Sequence, residues 1–497
     1  LSLDFTDEKM KWIDRTVPFH PRDWFTDKEA LRQVLKTPPT AVLQAERMDK
    51  YADSLFHEIK AAKYGKANLE EVVADQKHLT AKQQADLLKI FWKHEPLFNG
   101  EVGKFPREVH LDVDPHASPY YQPRAYPIDH RHMKVLKDEL DRQEKLGIIS
   151  KVHVPTAWCM PMFPREKKDG TIRTVHDFRW LNRAILRKIH TLPRIEDILL
   201  WMRVYEYLTK IDISMQYYAF HLDEESSWYC VFITPFGKYK LNRLAMGCVQ
   251  SGDIAQAAME EVFRDILHAI AVYMDDLLFH HMTWEEHIEM IDEVLGRLQA
   301  YGFTVNPRKC EWGVQETDFL GYWITKEGIK PWVKRIEPIL RMEKPKTLKE
   351  LRRFIGMTNW YRNMYEERAK ILAPLTDMTK HSKQAFRKHW GPEQDKAFEA
   401  AKAMLAQEVL LSFPDPNKEF IIKSDACDYQ LGGVIMQEFD GIEKPIAYYS
   451  RKLTDAQRRY SIIEKELLAK LEILEQFRSF LWGRKIRIRG DHKNLSF

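Results

Sequence analysis

The chain has 497 residues, 44% hydrophobic and 30% charged, with a formal net charge of +4. At about 150 residues per domain this length predicts about three domains; the composition excludes global disorder, and the small net charge leaves any nucleic-acid surface to local basic clusters. Five separated cysteines (Cys159, Cys230, Cys248, Cys310, Cys427) argue against a zinc site or disulfide framework and suit a reducing compartment, and no apolar run approaches the roughly 18–20 residues of a membrane helix.

In chain order, Leu1 in place of an initiating Met leads us to expect a segment of a longer product with no signal peptide. "MKWIDRTVPF" (10–19) alternates polar and apolar residues as a strand does. "LTAKQQADLLKIFWKH" (79–94) repeats Leu79, Leu87, Leu88 and Phe91 at helical spacing. The Pro-rich, aromatic "HASPYYQPRAYPI" (116–128) predicts extended chain laid over a surface. "HMKVLKDELDRQEKLGII" (132–149) reads as an amphipathic helix stopped by Gly147. "AWCMPMFPREKKDGTIRTVHDF" (157–178) reads as strands turning at Asp169-Gly170. "YEYLTKIDI" (205–213) and "WYCVFITPFGKYKLNRL" (228–244) are strand-like, and a helix over 284–301 precedes "CEWGVQETDFLGYWIT" (310–325). Residues 326–353 carry ten Lys and Arg against four Glu. This basic helical stretch is either a phosphate-facing surface or a solvated helix face. Helix-prone chain continues to about 411, and after "FPDPNK" (413–418) a β-then-helix unit begins at "EFIIKSDAC".

"AVYMDDLLFH" (271–280) sets Asp275 and Asp276 between apolar runs with no Lys or Arg beside them. Successive strand side chains point to opposite faces, so a tight turn at Asp-Asp, joining two antiparallel strands, is expected to present both acids together. Taken alone the dipeptide reads more readily as an ordinary polar hairpin turn. A divalent metal would supply the missing counter-charge. Two-metal phosphoryl transfer uses ions roughly 3.5–4 Å apart held by a few carboxylates. Asp212, ending "YLTKIDI", is the further acid such a site needs.

"YMDD", preceded by "KIDI" and by "KKDGTIRTVHDFRWLN" (167–182), resembles the reverse transcriptases. "FLGYWIT" (319–325), "LRRFIGMTNWYRNM" (351–364), "ILAPLTDMTK" (371–380) and "IAYYSRKLTDAQRRYSIIEKELLA" (446–469) resemble the gypsy class of LTR retrotransposons. The resemblance runs from about residue 95 to the end. It implies an α+β right-hand polymerase of fingers, palm and thumb followed by a ribonuclease H-like α/β domain. It also implies RNA- and DNA-templated DNA synthesis from dNTPs on a DNA primer, with a pair of Mg²⁺ ions (Mn²⁺ as a substitute) at the polymerase site.

Matched position by position, Asp212, Asp275 and Asp276 are the polymerase carboxylates, the first two bridging the metals and Asp276 supporting them. Arg173 matches the arginine that grips the incoming triphosphate, a task that suits a guanidinium fork. Either Lys167 or Lys168 accompanies it. Tyr217 matches the aromatic that stacks under the deoxyribose and rejects a 2′-hydroxyl, with an aromatic core residue as the alternative. Met246 occupies a nucleotide-contacting position in "LAMGCVQSGDIAQ" (244–256), where family members carry prolines that this chain lacks. That loss predicts a less rigid loop. Gly321 and Tyr322 match the segment steadying the primer end. Arg179, and Lys349, Arg352 and Arg353 of the thumb, are the implied primer and template contacts.

The same resemblance assigns Asp425, Glu466 and Asp491 to the ribonuclease H metal site and leaves Asp428 and Glu464 as surface acids. The family's fourth acid falls beyond Phe497, so that domain is expected to be incomplete and its cleavage of RNA–DNA hybrid doubtful. Residues 1–25 resemble the end of an aspartic protease domain, without its Asp-Ser/Thr-Gly triplet. Residues 26–95 are expected as a mostly helical connector, 96–325 as fingers and palm, 326–412 as thumb and helical connection, and 413–497 as the ribonuclease H-like domain. Analogy adds a homodimer, cytoplasmic retrotransposon particles and no membrane. A domesticated nucleic-acid-binding subunit without synthesis is the competing reading, favoured only by the altered 244–256 loop.

Overall fold

The computed structural model describes residues 66–166, 172–382 and 386–490, together with the backbone of three strands ahead of them. Those strands, Ser2–Asp4, Lys9–Trp12 and Arg15–Pro18, form an antiparallel meander inside a unit of their own, Leu1–Glu58. The remaining chain, Ile59–Phe497, is one compact unit.

Its central sheet has four strands in the order Ala271–Tyr273, Asp276–His281, Tyr207–Asp212, Glu311–Val314. All its pairings are antiparallel, and both its faces are buried, Ile211, Leu277 and Phe279 in one core and Leu208 and Leu278 in another. The Trp284–Ala300 helix, capped by Thr283, covers it with Ile291, Val294, Leu295 and Leu298. The Ala81–Lys93 helix begins at a Thr80–Gln83 capping box and seats Leu87 and Phe91 in the same core. Phe91 lies 4.8 Å from the Trp312 ring, and Gln83 donates to the Tyr207 hydroxyl at 3.0 Å. The segment from 66 to 95 is therefore packed into the body of the central sheet.

A five-stranded sheet, ordered Ile149–Val152, Gly237–Leu241, Val231–Thr234, Met160–Glu166, Ile172–His176, stands beside it. The His130–Lys145 helix leads into this sheet, and Gly147, at φ +68, ends that helix in the left-handed region glycine favours. The strand reading of 228–244 holds only from Val231. Residues Glu224–Tyr229 form a helix capped by Asp223, whose carboxylate accepts from the Ser226 amide at 2.9 Å.

The basic stretch after 325 is not continuous helix. Gly328–Pro331 closes a three-stranded sheet with Thr317–Phe319 and Tyr322–Thr325, because the Gly-containing turn lets the chain fold back before Val333–Leu340 becomes helical. The helices Leu348–Thr358, Arg368–Met378 and Pro392–Ala406 share a second core built on Leu351, Phe354, Leu375, Phe398 and Ala401. A last sheet, ordered Ile442–Lys452, Gln430–Phe439, Phe420–Ala426, Ile486–Arg489, is antiparallel except for the parallel pairing of its final two strands. The Ile462–Gln476 helix crosses it. That parallel edge requires a crossover connection, and the helix supplies it.

Candidate active site

The Asp275–Asp276 hairpin is displaced by one residue from the expected turn. Tyr273 pairs with Asp276, so the two-residue turn is Met274-Asp275 and Asp276 already belongs to the second strand. Met274 carries the turn in the left-handed region at φ 55. A two-residue hairpin needs positive φ at its first central position, and Met accepts it here because its backbone is held from several directions. Its N–H donates to Gln256 Oε1 at 2.8 Å, and Gln256 Nε2 donates to the Val272 carbonyl at 3.2 Å. From the other side Gln216 Nε2 donates to the Met274 carbonyl at 3.0 Å, and the Ile213 N–H donates to the Asp275 carbonyl at 3.1 Å. Gln256 is fully buried on the Ser251–Val262 helix.

Asp276 faces Asp212 directly across the strands. Facing residues on adjacent strands share a sheet face, with Cβ atoms about 4.5–5.5 Å apart. Burial, and then the charge of Asp275, push the Asp276 carboxyl up to about 6. Asp212 is also raised, by burial first; Lys309, with Nζ 3.8 Å from Oδ1, opposes this and the Asp275 charge adds to it. The other nearby cation is committed elsewhere: Lys210 Nζ lies 2.8 Å from Glu311 and 3.3 Å from Asp318. Three neighbouring acids thus hold more negative charge than the local cations offset. Among the described residues no group of three or more His, Cys, Asp or Glu is drawn together as metal ligands are. The donor set is nonetheless one that a divalent cation suits, since hard oxygen donors under mutual repulsion are what such an ion relieves.

Tyr217 stands beside this site. Its hydroxyl donates to the Met274 sulfur at 3.8 Å, and burial together with the Asp275 charge raises its pKa. Met246 is exposed in the altered loop. That loop is braced without prolines: Asn182 Nδ2 donates to the Gly247 carbonyl at 2.9 Å, its Oδ1 accepts from the Val249 N–H at 2.8 Å, and the Ser251 hydroxyl donates to the Ala245 carbonyl at 2.6 Å. Asp253 on the following helix turn is bound by Arg187 at 2.7 and 3.0 Å. The expected loss of rigidity is therefore offset by side-chain bonds. Arg173 lies on the Ile172–His176 strand with its side chain outside the described residues, as are Lys167, Lys168 and Asp491.

Arg179 is exposed and forks onto Asp177, with Nε 2.8 Å from Oδ1 and Nη2 2.6 Å from Oδ2. Tyr322 is buried and donates its hydroxyl to the Trp360 carbonyl at 2.8 Å, so its side chain serves the second core and only its backbone is left for a primer. Gly321 sits at φ +83 against Arg335, whose guanidinium covers the Trp360 ring at 3.6 Å. Lys349, Arg352 and Arg353 line the exposed face of the Leu348–Thr358 helix, opposite buried Leu348, Leu351 and Phe354.

In the last sheet, Asp425 is exposed near the end of its strand and Glu466 is buried on the crossing helix. The two acids set aside have structural work. Asp428 pairs with Lys465 at 2.8 Å, and Glu464 closes a capping box with Ser461. Sequence reasoning missed Gln216, Gln256 and Asn182. Buried amides that bond backbone leave no periodic signal; a polar residue inside an otherwise apolar helix face, such as Gln256 among Ala255, Ala258 and Met259, is the only hint.

Residues 165–324 match the model for "Reverse transcriptase (RNA-dependent DNA polymerase)", and 390–488 match that for an "RNase H-like domain found in reverse transcriptase". The Transposon Tf2-3 polyprotein of Schizosaccharomyces pombe is 30% identical over 376 residues, and the Tf2-7 polyprotein is 30% identical over 380. Each match covers 75% of this chain and 28% of the relative, so the chain spans little more than a quarter of those polyproteins. Among solved structures, a foamy viral protease-reverse transcriptase in complex with RNA/DNA hybrid superposes with a TM-score of 0.72 at 23% identity, covering 86% of this chain and 57% of that one. The same viral protein in complex with dsDNA gives 0.74 at 23% identity, covering 86% of this chain and 89% of that one. At this identity the likeness establishes the fold, a right-hand polymerase followed by a ribonuclease H-like domain. On its two matched domains and its retrotransposon relatives, the chain belongs to the reverse transcriptase family.

Proposed function

We propose that the chain is an RNA- and DNA-templated DNA polymerase that extends a DNA primer with dNTPs. The observation that carries this reading is the cross-strand facing of Asp212 and Asp276 with Asp275 in the adjoining turn. Asp212 and Asp275 would hold divalent ions, Mg²⁺ by preference, with Asp276 completing the anionic face. Bound there, the ions supply the activation of the primer 3′-oxygen and the neutralisation of the leaving pyrophosphate. The chain's own residues do the positioning. Tyr217 forms the floor under the sugar and the 244–249 loop borders the base, while Arg173 with Lys167 or Lys168 is assigned to the phosphates by the family resemblance. The thumb face at Lys349, Arg352 and Arg353 follows the duplex backbone. The complexes of the viral relative with RNA/DNA hybrid and dsDNA support those two duplexes as substrates, and the polyprotein relatives support retrotransposon particles as the setting. The bracing of the altered loop by Asn182 supports synthesis over a non-synthesising subunit.

Primer extension on an RNA template with Mg²⁺, comparing dNTPs with NTPs, tests the assignment. Extension is expected with dNTPs alone. Asp275→Asn should lower it by roughly a thousandfold, the scale on which losing a preorganised charge acts in a polar transition state. Unchanged extension by that variant rejects the site.

A further inference from the structure

Glu466, one of the acids attributed to the ribonuclease H-like metal site, does not fit a metal as the polymerase acids do. Glu466 is 3% exposed and both of its carboxylate oxygens are engaged. Oε1 accepts from the Ala426 N–H at 3.2 Å, and Oε2 faces the Lys470 ammonium at 3.4 Å. Lys470 is itself only 8% exposed. It lies one turn further along the Ile462–Gln476 helix, the spacing and order in which Glu and Lys side chains meet. On its far side the ammonium reaches the end of the last strand: a Cβ placed on Gly490 would lie 3.0 Å from Nζ. Ala426 follows Asp425, and Gly490 precedes Asp491. The ammonium therefore lies between Glu466 and Gly490, and Glu466 in turn holds the Ala426 N–H.

We propose that Lys470 is a resident counter-cation that holds Glu466 and keeps a divalent ion out of the ribonuclease H-like site, leaving that unit a non-cleaving module. A buried carboxylate needs a cationic partner, and here the helix supplies one from within. A divalent ion approaching Glu466 would have to compete with the ammonium for the carboxylate while facing like-charge repulsion from it. The inference rests on reading 413–497 as ribonuclease H-like. It is independent of the polymerase assignment.

The test counts Mn²⁺ ions bound by the full chain, from the loss of the free-ion electron paramagnetic resonance signal. The chains compared are the unsubstituted protein, Glu466→Gln, Lys470→Met and the double variant. The unsubstituted chain and Glu466→Gln should bind the same number of ions. Lys470→Met should gain one ion, with the affinity of that site rising at least tenfold, and the double variant should lose it again. If Glu466→Gln binds one ion fewer than the unsubstituted chain, metal already sits on Glu466; the ribonuclease H reading then stands and the counter-cation proposal falls. A folded Lys470→Met chain, verified by circular dichroism, that gains no ion also overturns it. Should Lys470→Met fail to fold, the comparison between the unsubstituted chain and Glu466→Gln decides alone.

Discussion

Tyr217 is half-buried, bonded to the sulfur of Met274 and electrostatically coupled to Asp275, so its ring edge has little freedom to retreat from a bound sugar. Replacing it by Ala opens that space. Tyr217→Ala should raise ribonucleotide incorporation relative to deoxyribonucleotide by roughly ten- to a hundredfold, the range a shape-based pocket commands, as read from single-nucleotide incorporation kinetics. An unchanged ratio would make Tyr217 a core residue. His176 permits a second residue-scale prediction. It is buried against Phe178 and Phe232, with its Nε2 unpartnered, and burial alone holds its pKa down to about 4 against an ordinary 6.5. Between those values the unfolded chain binds a proton that the folded chain refuses. Stability is thus full above about pH 6.5 and declines as pH falls toward 4, at about 1.4 kcal/mol per pH unit. Thermal melts from pH 7 to pH 4.5 should show this decline, and His176→Leu should lessen it, leaving the share of His280 and His287, which burial depresses in the same direction. A slope left unchanged in the variant would place the acid sensitivity elsewhere. Single acids were the most legible feature of the sequence, because Asp212, Asp275 and Asp276 break apolar runs. Lys470 was not legible: a Lys in a helix reads as solvent-facing until tertiary packing buries it.

At the scale of the element, the Asp275–Asp276 hairpin depends on a helix that contributes no charge to it. The pattern of "AVYMDDLLFH" predicts two strands and a tight turn, but it cannot say whether the turn is Met-Asp or Asp-Asp. That choice is made by tertiary bonds, in which Gln256 takes the Met274 N–H and returns a donor to Val272. Gln256→Ala removes the partner of the part-buried Met274 N–H and of the buried Val272 carbonyl, at a cost of about 1–3 kcal/mol for a group that water cannot reach. The expected outcome is a lower thermal midpoint and a fall in kcat that exceeds any rise in KM for dNTP, because the carboxylates shift while the fingers contacts stay in place. If KM rose alone, Gln256 would be serving the nucleotide pocket and not the hairpin. The basic stretch shows the same limit of sequence reading. Its charge predicts an exposed face, which Leu348–Thr358 provides, but charge carries no signal for the Gly328–Pro331 strand, which is fixed by pairing with Tyr322–Thr325.

Over the whole molecule, the ribonuclease H-like unit is fastened to the helices before it. The Tyr448 N–H donates to the Asn363 carbonyl at 2.9 Å, the Ala369 N–H to the Ser450 hydroxyl at 2.8 Å, and the Ser412 N–H to the Pro445 carbonyl at 2.8 Å; Lys452 pairs with Asp377. On the proposed function, a duplex held by the thumb would meet a continuous body. With a net charge of +4 over 497 residues, its grip has to come from local faces such as that of the Leu348–Thr358 helix. Each phosphate neutralised by a Lys or Arg contributes about 0.9 to the slope of log affinity against log salt on duplex. Lys349→Ala with Arg353→Ala should reduce that slope by about 1.8 for an RNA–DNA hybrid, equally for unrelated sequences. Arg352 is left intact because its guanidinium also donates to the Thr379 carbonyl at 3.2 Å, so its loss would mix folding with binding. Fluorescence anisotropy of a labelled hybrid across a salt series measures the slope. A double variant that binds more weakly at every salt concentration with the slope intact would mean that this face shapes the thumb without touching phosphate.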